Sequence, residues 1–188
     1  ADNNTAMGFC ALFANTTGNL NQAFGAFSLQ ANTEGVRNTA IGSYTMYDNT
    51  TGNYNVAVGQ SALYNNETAD SNTAVGYVAL NANTTGAKNV AMGHQSLMFN
   101  TTGSCNTAIG QNTLYCNTTA SYNTAVGRSA LQLNTTGANN TALGFCSLRG
   151  NTTGASNTAV GTNAMYEGTT TGDFNTMVGV SSGRKMTS

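Results

Sequence analysis

The chain has 188 residues, of which only 7% are charged, with no Pro, no Trp and a formal net charge of -1. A balance this close to neutral offers no electrostatic footprint for nucleic acid or an anionic membrane, and no apolar run approaches the length of a bilayer span. Polar, uncharged chains of this kind bury too little apolar surface to offset the entropy of ordering, so any order must come from a regularity in the sequence.

The first four residues, Ala1-Asp2-Asn3-Asn4, have neither the basic region nor the apolar core of a signal peptide, so a secretion signal is expected to lie outside this segment. At Asn4 a repeat begins. The block Asn-(Thr/Val/Gln)-Ala-x-Gly starts at Asn4, Asn21, Asn38, Asn55, Asn72, Asn89, Asn106, Asn123, Asn140 and Asn157, each 17 residues after the last, and an eleventh block starts one residue late at Asn175. The turn Gly168-Thr169-Thr170-Thr171-Gly172 holds the extra residue. The consensus is N-T-A-V-G-x-x-A-L-x-x-N-T-T-G-x-x, and coil positions are numbered here from its first Asn.

The register runs through residues 1–188 with no linker or composition shift, so the chain is one array. The period is too short for paired helices, and Gly closes both halves of the unit, as two short strands with turns require. The expectation is an all-β fold, a β-solenoid (β-roll or β-helix) of about eleven coils of 17 residues. At the usual strand spacing of about 4.8 Å, ten steps give a rod roughly 50 Å long. Solenoids end in polar caps, and none is visible here. The array is therefore expected to be a segment of a longer one, or a filament subunit.

Two positions carry dependable apolar bulk. One is position 4 (Val58, Val75, Met92, Ile109, Val126, Leu143, Val160), the other position 9 (Leu63, Leu80, Leu97, Leu114, Leu131, Leu148). Both are expected in the core. Such a core is thin, so coil-to-coil hydrogen bonds and ladders of identical side chains must contribute. The small column Ala40, Ala57, Ala74, Ala91, Ala108 and Ala125 is expected to let another chain approach, giving a homo-oligomer or an end-to-end filament.

The Asn that opens each block is followed two residues later by Ala or Met, so it is no glycan acceptor at the regular blocks. Stacked on its equivalents, the column Asn4, Asn21, Asn38, Asn55, Asn72, Asn89, Asn106, Asn123, Asn140 and Asn157 reads as a structural ladder that passes amide hydrogen bonds along the rod. A second Asn column, at position 12, satisfies the N-x-[ST] pattern at Asn15, Asn49, Asn66, Asn83, Asn100, Asn117, Asn134 and Asn151, with weaker matches at Asn3 and Asn139. Asn-Thr-Thr-Gly is also a good turn. At Asn66-Glu67-Thr68-Ala69, however, the middle Thr and the Gly change while the Asn and second Thr remain, which favours N-glycosylation and covalent glycans on this column.

No catalytic residue, cofactor-binding residue or metal site is expected. Cys10, Cys105, Cys116 and Cys146 lack a C-x-x-C spacing and a histidine partner, and read as free thiols, with a Cys105–Cys116 bridge left open. His94 sits in a variable, exposed column, and the acids Glu34, Asp48, Glu67, Asp70, Glu167 and Asp173 fall singly at turns. Phe13, Tyr47, Tyr64, Tyr115 and Tyr166 share one column, Tyr54 and Tyr122 another, and these rings are expected to pack on neighbouring coils or a partner chain rather than on sugars.

The block from Asn72 to Leu80, and again from Asn123 to Leu131, resembles the head repeats of trimeric autotransporter adhesins and of tail-fibre-like surface proteins, over essentially the whole array. The resemblance implies a left-handed β-roll that trimerises and binds host or matrix surfaces, with Asn72, Ala74, Val75, Gly76 and Leu80 as coil-forming residues. The repeat departs from that group in being longer and in carrying the Asn-Thr-Thr-Gly turn. The resulting expectation is a non-enzymatic structural subunit or shaft of a glycosylated extracellular fibre, placed outside the cell or on a cell or virion surface. The alternative is an adhesin or tail-fibre binding module. Ice binding ranks below both, on the column Thr39, Thr73, Thr107 and Thr124.

Overall fold

The computed structural model describes residues 1–167 and 171–184. It is an all-β solenoid of 17-residue coils, each carrying one three-residue strand. The strands are β1 (Thr5–Met7), β2 (Gln22–Phe24), β3 (Thr39–Ile41), β4 (Val56–Val58), β5 (Thr73–Val75), β6 (Val90–Met92), β7 (Thr107–Ile109), β8 (Thr124–Val126), β9 (Thr141–Leu143), β10 (Thr158–Val160) and β11 (Thr176–Val178). They form a single parallel sheet in sequence order, in register, so that Ala74 lies beside Ala57 on one side and Ala91 on the other. The insertion in the last turn leaves that register intact, with Ala159 paired to Met177.

The expected second strand is absent from the described coils. The rest of each coil is a chain of turns, and in each of the first ten coils three non-glycine residues take left-handed backbone. In the fifth coil these are Val78 (φ 49°), Leu80 (φ 52°) and Lys88 (φ 59°). Left-handed backbone costs an L-residue about 1–2 kcal/mol. It persists because it aims the amide along the rod: Val78 N–H donates to the Gln60 carbonyl (3.0 Å), Leu80 N–H to Ser96 (2.9 Å) and Lys88 N–H to Asp70 (3.1 Å). The coil thus bonds backward and forward alternately, and the ladder continues outside the strand.

Position 5 is Gly in all eleven coils for a different reason. Gly76 has φ +133°, and a Cβ there would lie 2.5 Å from the Gly93 carbonyl oxygen. Position 15 has ordinary φ, and two coils place Ala69 and Ala120 there.

The core differs from the expected one in a single inversion. A strand of three residues sends its middle side chain one way and its flanks the other. It is the middle Ala that points inward: Ala40, Ala57, Ala74, Ala91, Ala108 and Ala125 are fully buried beside Leu63, Leu80, Leu97, Leu114, Leu131 and Leu148. Position 4 therefore faces out, with Ile41, Met92, Ile109 and Leu143 exposed and Val58, Val75, Val126 and Val160 half-buried. The Ala column is no docking face, and the aliphatic column is not core. The interior is too narrow for two bulky side chains per coil, so Ala opposes Leu and the remaining space is filled by asparagine.

Candidate functional site

Both asparagine columns lie inside. At position 1, each backbone N–H donates to the Oδ1 of the preceding coil's Asn, as from Asn72 to Asn55 and from Asn89 to Asn72 (2.9 Å each). Its Nδ2 crosses the coil to the position 15 carbonyl, from Asn72 to Gly86 at 2.9 Å. At position 12, each Nδ2 donates both to the Oδ1 of the coil before and to its own turn, from Asn83 to Asn66 (3.0 Å) and to Gly86 (2.9 Å).

The structure places the second column, whose N-x-[ST] pattern led to the expectation of glycans, inside the coil. Asn49, Asn66, Asn83, Asn100, Asn117, Asn134 and Asn151 are fully buried, and Asn15 is half-buried with its Nδ2 on the Gly18 carbonyl. A sugar needs the same Nδ2 that forms the rung. The two sequons outside the column are the ones with exposed acceptors, Asn3 and Asn139. The signal that separates turn from acceptor was present in the sequence, in Asn32-Thr33-Glu34, where the Asn stays without a sequon; its Nδ2 makes the same rung to Asn15 (2.8 Å).

Three outer surfaces remain. The strand face carries two ranks, position 2 (Thr39, Val56, Thr73, Val90, Thr107, Thr124) and the aliphatic position 4, and no charged residue stands on any of its eleven strands. The turn surface carries Thr at positions 13 and 14. The first of these is used internally, as where Thr50 Oγ1 donates to the Glu67 carbonyl (2.9 Å), while position 14, with Thr51, Thr68, Thr85 and Thr102, is exposed.

The third surface holds positions 6, 7 and 10 and most of the aromatic rings. Phe9 and Phe27 meet edge to face (5.2 Å), Phe27 stacks on Tyr44 (4.9 Å), and Tyr47 stacks on Tyr64 (5.0 Å). Rings stacked along the rod turn their edges, not their faces, outward, so they staple coils rather than form platforms for sugar. The same packing places Phe99 against Tyr115 (4.9 Å) and His94, which is exposed, on Tyr77 (5.3 Å). Tyr54 receives Arg37, whose Nη1 donates to its hydroxyl at 2.8 Å.

The acids are not all single. Burial pushes the Asp48 carboxyl above the usual carboxylate range, and Glu67 in the next coil pushes it further; Tyr64 is raised by burial and by Asp48. At the other end of this surface, burial raises the Cys146 thiol, while Arg149 and Arg128 pull it back. Burial alone raises Cys116. All four cysteines are free, and among the described residues no cluster of three His, Cys, Asp or Glu could hold a metal ion. No helix is long and apolar enough to cross a membrane among the described residues.

Comparison with family models, with curated proteins and with solved structures finds no match for this chain.

Proposed function

We propose that the chain is a shaft segment of an extracellular fibre, a rod whose work is length and stiffness and whose strand face is covered by further copies of itself. The observation that carries this reading is the apolar rank at position 4, aliphatic or Met in every coil but the second, where it is Phe24, and unbroken by any polar residue over eleven strands. Contiguous exposed apolar surface of this extent marks an interaction site. A second copy is the occupant that fits best, because only a partner with the same axial spacing meets every rung in phase. The extracellular setting rests on the resemblance to adhesin head repeats and tail-fibre-like proteins, as does a trimeric arrangement.

The test is sedimentation of the chain beside Val75→Glu and Ile109→Glu variants. Both side chains are outside the core, so the coil stays folded by circular dichroism while the variants sediment as single chains. Variants that keep the wild-type mass would overturn the reading.

One observation favours a second reading. The Thr rank Thr39, Thr73, Thr107 and Thr124 shares this flat face with the aliphatic rank, an arrangement able to order water against ice. The two uses exclude each other, since a face buried between copies meets no ice. Thermal hysteresis from the single-chain form is the sign of the second.

A further inference from the structure

The surface formed by positions 6, 7 and 10 changes character along the rod. In the third and fourth coils it carries Tyr44, Tyr47 and Tyr64, and on its edge toward the turn stand Asp48 (position 11), close enough to act on Tyr64, and Glu67 (position 13), close enough to act on Asp48. In the eighth and ninth it carries Arg128 and Arg149. The repeat supplies its own control. The fifth and sixth coils place Tyr77 and His94 at position 6, Asn81 and Met98 at position 10, Ala82 and Phe99 at position 11 and Thr84 and Thr101 at position 13, and close the same backbone ladder, so coil formation demands neither the acids nor the arginines.

Neither group is neutralised within the chain. The one ion pair among the described residues joins Arg184 to Glu167 at 2.8 Å, further along. Arg149 donates through Nε to Gln132 (2.8 Å) and lies over the Tyr166 ring at 5.6 Å, and Arg128 is exposed. Asp48 and Arg149 stand six coils apart, about 29 Å at the usual strand spacing. That is several times the screening length of about 8 Å at physiological salt. Within one chain the two patches do not feel each other.

We propose that this surface pairs two rods side by side and antiparallel, the acidic tyrosine patch of one against the arginine patch of the other. The pairing is isologous: a two-fold axis near the sixth coil brings Asp48 and Glu67 to the partner's Arg149 and Arg128, and the same contact repeats on the other side, so the assembly closes. Arginine suits the tyrosine hydroxyls, which accept its N–H groups, as well as the carboxylates. The surface is distinct from the strand face, so the pairing does not depend on the oligomer proposed above.

The experiment is sedimentation velocity of the full chain at about 50 mM and about 500 mM salt, where screening lengthens or shortens the reach of these charges. The wild type is expected to lose half its mass at high salt. Arg128→Glu with Arg149→Glu is expected to show the high-salt mass at both concentrations, as is Asp48→Lys with Glu67→Lys. The fourfold reversal restores the salt-sensitive pair. If Arg149→Glu disturbs its coil, Arg128→Glu and Glu67→Arg, both at exposed positions, give the same comparison with a smaller shift. A wild-type mass independent of salt, or folded reversed variants that still pair, would overturn the proposal. A high-salt species that is a single chain bears on the strand face alone.

Discussion

Asn72 and Asn83 donate their side-chain amides to one acceptor, the Gly86 carbonyl, at 2.9 Å each. One asparagine comes from the strand block and one from the turn block, so a single oxygen ties the two halves of the coil together. Repeated in coil after coil, this knot replaces the apolar bulk that a narrow interior cannot hold.

The asparagine rungs should therefore behave as buried, fully used polar groups. Asn100 donates to Asn83 (2.8 Å) and Gly103 (2.9 Å) and accepts from Asn117 (2.8 Å). Asn100→Ala strands buried partners on both sides, at about 1–3 kcal/mol per orphaned group. Urea denaturation is expected to show a loss of several kcal/mol, against a few tenths for the exposed Thr102→Ala.

The two glycine columns should respond unequally to a methyl group. Gly76→Ala meets both a left-handed φ and the Gly93 carbonyl, and is expected to destabilise by more than about 2 kcal/mol. Gly86→Ala also brings a Cβ against the next coil's carbonyl, that of Gly103, but keeps an ordinary φ at a position that Ala69 and Ala120 fill in other coils, and is expected to cost less than Gly76→Ala. Thermal melts of the pair decide it.

Leu80→Ala removes the one bulky core side chain of its coil, and is expected to cost about 2–5 kcal/mol. Val75→Ala, on the outer strand face, costs far less in a single chain. Denaturation under conditions that hold the chain monomeric separates the two.

The Asp48 carboxyl is raised by burial and then by Glu67, so its charged form is the disfavoured one in the fold. A folded pKa above the unfolded one makes ionisation destabilising: the penalty is absent below the ordinary carboxylate range and complete once pH passes the raised value. Asp48→Asn, which copies Asn65 of the next coil, is expected to raise the melting temperature slightly at neutral pH and to have no such effect in acid. The partly solvated position keeps the gain small.

Made in a host that attaches N-glycans, the folded protein is expected to carry sugar at Asn3 and Asn139 and none at Asn83, Asn100 or Asn117. Peptide mass spectrometry of the folded fraction reads this directly. Occupancy of the buried column would be confined to misfolded material.

The period, the number of coils and the parallel stacking were legible because Asn and Gly recur on a strict spacing, and the Leu column was legible by its bulk. The phase of the strand was not. In Thr73-Ala74-Val75 the larger side chain suggests the inside, yet three residues alternate too briefly to show which face is buried, and the narrow interior selects Ala74. Left-handed backbone at Val78, Leu80 and Lys88 was invisible because none of these residues favours it; the demand comes from the neighbouring coil's carbonyls. Asn83-Thr84-Thr85 satisfies a glycan acceptor and a buried rung equally well, and the clue between them lies in another coil, where Asn32-Thr33-Glu34 keeps the Asn without a sequon.

The most direct test of a rod covered by its own copies is small-angle X-ray scattering of the purified chain at high salt, read for mass and longest dimension together. The expected result is a whole multiple of the chain mass with a longest dimension still about 50 Å, ten strand spacings, because copies lie side by side along the strand face. A single-chain mass, or a length that grows in proportion to mass, would contradict it.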